Sequence, residues 1–179
     1  MSRALLTCLL AAASLGAADR PAVSREAMET VEQSVDRAIR DLDQNEPYDL
    51  LGFTRGVYLP GYGVVVTAEI NLVITPITPF HQIPAGAQLT RLRQKKIRRL
   101  AVVRDLMRTA LLNAAATLDP VPGNEQVVFA LTLFYRNFEE REGLPGQIIM
   151  TAPKQTLIDF KAGKIARPQL DAAIQVQEL

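Results

Sequence analysis

The chain is poor in the residues that most often carry chemistry. Its 179 residues hold one cysteine, one histidine and no tryptophan. A lone Cys8 excludes a disulfide framework, and a lone His81 excludes a Cys/His zinc site. Any Cys-His or Ser-His-Asp catalytic set would have to be built on His81. Charge of one sign is also missing, since 20 Lys+Arg stand against 19 Asp+Glu, and this balance gives no reason to expect nucleic acid as the main partner. There is no fixed-period repeat and no low-complexity tract. What remains is 48% apolar and 22% charged, a composition that folds, in a length suited to one domain.

The first eighteen residues have the pattern of an export signal. Arg3 supplies the positive start, Ala4 to Ala18 carry no charge, and Gly16 and Ala18 stand at −3 and −1 of a cut before Asp19. The apolar stretch falls short of the ~20 residues of a membrane-spanning helix. Cys8 stands inside this stretch rather than after it, which disfavours lipidation. Cleavage would leave a body, 19–179, without cysteine and indifferent to an oxidising compartment. The alternative is an uncleaved N-terminus acting as an anchor.

Beyond the leader, the apolar spacing predicts a helix over 24–43, with Met28, Val31, Val35, Ile39 and Leu42 on one face and Ser24 as its N-cap. Residues 53–59 and 64–74 alternate as two antiparallel strands. Pro60-Gly61 suits the centre of a type II turn, and Gly63 permits a bulge or a close backbone approach. The Pro-rich stretch 75–87 makes an irregular connection. A long helix follows over 88–118, with Leu92, Leu100, Val103, Met107 and Leu111 in its stripe. Residues 126–135 form a buried strand, 137–146 a charged turn and 147–151 a second strand. A short helix after Pro153, a further helical turn over 167–173 and an edge strand over 174–177 complete the order. The expected fold is α+β: a mostly antiparallel sheet of about five strands, with one long and one or two shorter helices on one face.

Charge is balanced in total but segregated along the chain. Arg91 to Arg108 contains eight bases and one acid, Asp105. A helical wheel places Arg91, Lys95, Arg98 and Arg99 opposite the apolar stripe and Lys96 within it, so the first two turns are expected to project past the core. Cations at a helix N-terminus oppose its dipole and call for an anion. The acidic first helix of the same chain or solvent could supply it, as could an acidic lipid head group, a polyanionic glycan or a partner protein. Aromatic residues for nucleic-acid stacking are missing from this run.

Other candidates are few. Tyr58 and Tyr62 flank the Pro60-Gly61 turn and could present a binding surface or cap the sheet. Gly61-Tyr62-Gly63 lacks the later glycine and the following helix of a phosphate cradle. His81, Glu69 and Arg55 could assemble a small catalytic site, although Glu69, Asn71 and Arg55 also suit a structural pairing across the hairpin. Glu139-Glu140-Arg141-Glu142 has the composition of a solvated turn tip. Nothing in the spacing points to a cofactor or a metal.

The run Gly56-Val-Tyr-Leu-Pro-Gly-Tyr-Gly-Val-Val-Val-Thr67 resembles a hairpin of uncharacterised exported bacterial proteins, in which an aromatic-Leu-x-Gly-Tyr-Gly turn leads into a hydrophobic strand. The resemblance covers about a dozen residues and implies export and a bacterial source, with no activity attached. The expectation is an exported binding or scaffolding domain of the periplasm or outside, non-enzymatic, which meets an envelope protein or an anionic surface through Arg91, Lys95, Arg98 and Arg99.

Overall fold

A computed structural model describes residues 23–75 and 84–179. The leader, its cleavage site and His81 lie outside the described residues. The first helix, α1 (Arg25–Arg40), starts where Ser24 accepts a hydrogen bond from the Ala27 amide at 3.1 Å. Its stripe of Met28, Val31, Val35 and Ile39 is buried, as the spacing predicts. Glu32 and Asp36 on the same helix are buried too. Glu32 accepts from the Gly56 amide at 2.8 Å and Asp36 from the Thr54 amide at 2.9 Å. These carboxylates fasten the helix to the edge of the sheet and satisfy backbone donors that an edge would otherwise expose.

That edge is made by β1 (Asp49–Leu50) and β2 (Arg55–Leu59), which pair antiparallel with successive parts of β3 (Gly63–Asn71). The β2–β3 turn closes with the Tyr62 amide donating to Leu59 O at 3.0 Å, and Gly61 takes φ +84°. This is the conformation a Pro-Gly type II turn requires. Gly63 then lies against the next strand, where a Cβ would stand 2.6 Å from Gln126 N and closer still to its carbonyl oxygen.

From β3 the chain crosses over through α2 (Ala87–Thr117) into β4 (Gln126–Leu133), which pairs parallel with β3. A long helix between strands permits this geometry, since it returns the chain to the end from which β3 started. Next come β5 (Gln147–Pro153), antiparallel to β4, then α3 (Lys154–Lys161), α4 (Arg167–Ala173) and β6 (Gln175–Glu178), antiparallel to β5. The sheet has six strands in the order β1/β2-β3-β4-β5-β6 and is mostly antiparallel, so the fold is α+β. The extra strand is β1, a two-residue pairing too short to leave a periodic signal.

The core lies between the helices and one face of the sheet. Val64, Val66 and Ile70 of β3, Phe129 and Leu131 of β4, and Ile148 and Met150 of β5 meet Leu100, Val103, Met107 and Leu111 of α2. Lys154 at the start of α3 is buried beneath the end of α2. Its ammonium donates to the carbonyls of Leu118, Asp119 and Val121 at 2.7, 3.0 and 2.6 Å. A cation there answers both the unpaired carbonyls and the negative end of the helix dipole. Burial holds the Lys154 ammonium below its usual pKa, with Asp119 and Glu125 acting in the opposite direction.

Candidate functional site

The basic helix spends most of its charge inside the molecule. Arg99, expected on the solvent face, is buried. Its guanidinium donates to Leu72 O at 2.6 Å and to Glu46 O, approaches Asp43 at 3.5 Å, and lies 3.7 Å from the centre of the Tyr48 ring. The cause is the segment after α1, which folds back across this side of α2 and turns a polar face into an interior one. Lys95 pairs with Glu46 at 2.6 Å. Arg93 donates to Glu142 O at 2.7 Å, with the Glu142 carboxylate 3.4 Å away. Farther along the helix, Arg104 meets Glu178 at 2.7 Å and Arg108 meets Asp105 at 2.9 Å. The offsetting anions thus come from the chain itself, though from residues after α1 and from the 137–146 turn rather than from α1 proper. Arg91 and Arg98 are exposed and form no ion pair among the described residues.

Lys96 does point into the apolar stripe, but it does not project past the core. It is fully buried, with its ammonium 2.5 Å from Glu139 and 3.3 Å from Asn71 Oδ1, and 4.8 Å from the centre of the Tyr135 ring. Glu139 is therefore not part of a solvated tip, because the turn folds down to deliver it. Burial lowers the Lys96 pKa, and the Glu139 carboxylate counters that effect. Tyr135 donates to Pro145 O at 2.8 Å, and its phenol is pushed up to about 12, by burial first and by Glu139 next, with Arg141 opposing.

The sign of the alkaline effect follows from these shifts. Above pH ~10 an unfolded chain loses its tyrosine protons, whereas Tyr135 in the folded chain keeps its own to about 12. The resulting stabilisation is whole below pH ~10 and is lost as pH rises through the folded value. An alkaline absorbance titration should show a phenol ionising near 12, and Tyr135→Phe should lack it. If the variant retains that late phenol, the shift belongs to another tyrosine.

The remaining candidates do not converge. Tyr58 faces the helices, and its hydroxyl donates to Glu125 at 3.3 Å, beside the Gly61 amide, which donates to the same oxygen at 2.8 Å. Tyr62 is half exposed at the turn. Arg55 and Glu69 lie on the outer face of the sheet and form no ion pair with each other among the described residues. The Arg55 guanidinium instead stands 5.6 Å from the Phe53 ring centre. Among the described residues there is also no group of three His, Cys, Asp or Glu side chains placed to hold a metal ion, and no helix long and apolar enough to cross a membrane.

A groove of about 330 Å³ runs between α1 and α2. Val35, Ala38 and Leu42 form one wall, and Val102, Leu106 and Ala110 form the other. Alanines at Ala38 and Ala110 leave the two helices incompletely filled against each other, and Val102 is 43% exposed at the rim. The volume falls in the ordinary range of ligand clefts. Thr109 and Asn113 edge the groove, and the Thr109 hydroxyl is taken by the Asp105 carbonyl at 3.0 Å. Positions 91, 98, 102, 105 and 109 are separated by seven, four, three and four residues, so Arg91 and Arg98 stand on the α2 stripe that leads into the groove. Each helix looks amphipathic in sequence, and nothing local signals that their contact is underfilled. No protein-family model, no curated protein and no solved structure matches the chain.

Proposed function

We propose that the protein is a non-enzymatic binding domain, exported to the bacterial cell envelope, which holds an acidic amphipathic segment of a partner protein along α2. The observation that carries this reading is the continuity of an apolar groove with two cations, Arg91 and Arg98, that no described residue neutralises. A helix laid between two others buries its apolar side in the trough and is read at three- and four-residue steps. The wall from Val102 to Thr117 is about 22 Å long at ~1.5 Å per residue, enough for about four turns of such a segment. Acidic groups at one end of that segment would meet Arg98 and Arg91. The export pattern of Met1 to Ala18 supports the location.

Within the basic run of α2, Arg91 and Arg98 are the cations open to a charge-reversal test, since no described residue pairs with them. Reversing Lys95 or Arg99 would break internal contacts and confuse binding with folding. The probe is a labelled synthetic amphipathic helix with a leucine face and glutamates at one end, compared with its lysine counterpart. Binding of the acidic peptide should fall about tenfold or more in Arg91→Glu/Arg98→Glu, and about as far in Ala38→Trp, which fills the groove. The circular dichroism of both variants should match that of the parent. Equal binding of the two peptides, or variants that bind like the parent, would overturn the reading.

A further inference from the structure

Among the described residues, the helices cover one face of the sheet and none packs on the other. Strand register sets out what the open face carries. Val57, Val65, Val128 and Thr151 lie in one row across β2, β3, β4 and β5. Arg55, Thr67, Ala130 and Ile149 form the next row, and Gln177 extends it onto β6. Val128 is only 5% exposed, yet it stands outside the hydrophobic core. No helix of the described residues packs on it. Val57 and Leu59 on the same face are 50% and 44% exposed. An apolar band thus runs across the middle of the sheet, with threonines and glutamines around it.

The geometry points to a second copy of this chain as what covers that face, in a symmetric sheet-on-sheet dimer. The first reason is charge. The two rows hold a single charged residue, Arg55, and Glu69 lies in the row beside them opposite Thr132, so the face carries little charge of either sign to repel a copy of itself. The second is area. Five strands across at ~4.8 Å and about seven residues along at ~3.4 Å give on the order of 600 Å² in projection, before side-chain relief is counted. That is close to the ~800 Å² each partner brings to a standard interface. The third is the state of the β2 edge. Glu32 already takes the outward amide of Gly56, and Asp36 takes that of Thr54, so a partner cannot add a strand at these positions. Two such faces pack with their strands roughly 30° apart. A two-fold arrangement uses the same patch twice, which suits a surface of balanced charge. The groove between α1 and α2 lies on the other side of the sheet and stays open in this dimer.

Sedimentation equilibrium of the purified chain tests the assignment. The parent should have twice the chain mass at micromolar concentration. Val57→Lys and Ile149→Lys, separately and together, should weaken the association at least a hundredfold while the circular dichroism and thermal midpoint stay near those of the parent. Because Val57 is half exposed, its single variant keeps the test open if the pair fails to fold. Val102→Asp, in the helix groove, should leave the dimer intact. A parent that is monomeric at about 100 μM, or a dimer indifferent to Val57→Lys, overturns the proposal. So does a dimer broken by Val102→Asp alone, which would move the interface to the helix side. A monomer whose binding to anionic lipid vesicles is lost in Val57→Lys would assign the face to lipid and overturn it as well.

Discussion

Lys96→Met is expected to cost the fold about 3–5 kcal/mol in urea denaturation at neutral pH, the usual consequence of removing one partner from a buried ion pair. The loss does not come from packing, since methionine nearly matches the lysine in volume. It comes from Glu139, whose side chain is 3% exposed and would lose its counter-ion, and from Asn71, which would lose a donor. The double variant Lys96→Met/Glu139→Leu is expected to recover most of the loss, because two apolar side chains of similar size need no mutual compensation. A single variant as stable as the parent would mean that solvent reaches Glu139. A double variant no better than the single would mean that the cost lies in the seating of the turn rather than in unpaired charge.

Gly63→Ala should be of comparable severity for a different reason. Gly63 has φ +138°, and an added Cβ would collide with the backbone of Gln126. Neither partner is a side chain that can swing away. Strain at such a φ costs about 1–3 kcal/mol and forced overpacking a similar amount, so a loss of about 2–6 kcal/mol is expected. The strain and the collision fall at the junction where the Gln126 amide donates to Tyr62 O at 2.8 Å, so the turn should separate from β4. The control is Gly61→Ala, where φ is also positive but nothing stands within 4 Å of the new Cβ, and where only the smaller strain cost applies. Thermal denaturation of the two variants checks the ranking, and equal losses would show that the collision is relieved by a small shift of β4.

The same two sites mark how far the sequence could be followed. Gly63 was legible. A glycine after Pro-Gly at the head of a β-branched run permits a bulge or a close backbone approach, and the structure shows the close approach, with the register unbroken. The helices and strands were legible for the same kind of reason, since Met28, Val31, Val35 and Ile39 repeat at the helical step while Val64, Val66, Ala68 and Ile70 repeat at the strand step. Lys96 was half legible. Its place in the apolar stripe was visible, but a lysine there can emerge at a helix end or find an acid, and the acid lies far along the chain in a turn of solvated composition. Arg99 misled, because the segment that covers it reaches α2 only in three dimensions. The groove was invisible for a related reason. It is a deficit of side-chain volume between two elements, and periodicity reports which way a residue points without reporting whether its neighbour fills the space. The candidate set of Arg55, Glu69 and His81 rested on residue type alone, and Arg55 and Glu69 fall on the outer sheet face without forming an ion pair with each other among the described residues.

The parallel junction of β3 and β4 also shapes the order in which the chain can assemble. The β2–β3 and β4–β5 hairpins close over short stretches of chain and need little lost entropy to form. Joining them side by side pairs Gly63 with Gln126 and Ile70 with Leu133, so the central seam is the least local strand pairing among the described residues. That seam is expected to limit the rate, placing folding between the fast regime of helical bundles and the slow one of all-β sheets. Until it closes, two apolar half-sheets coexist with their inner strands unpaired, and this is the interval in which the polypeptide is most exposed to misassembly.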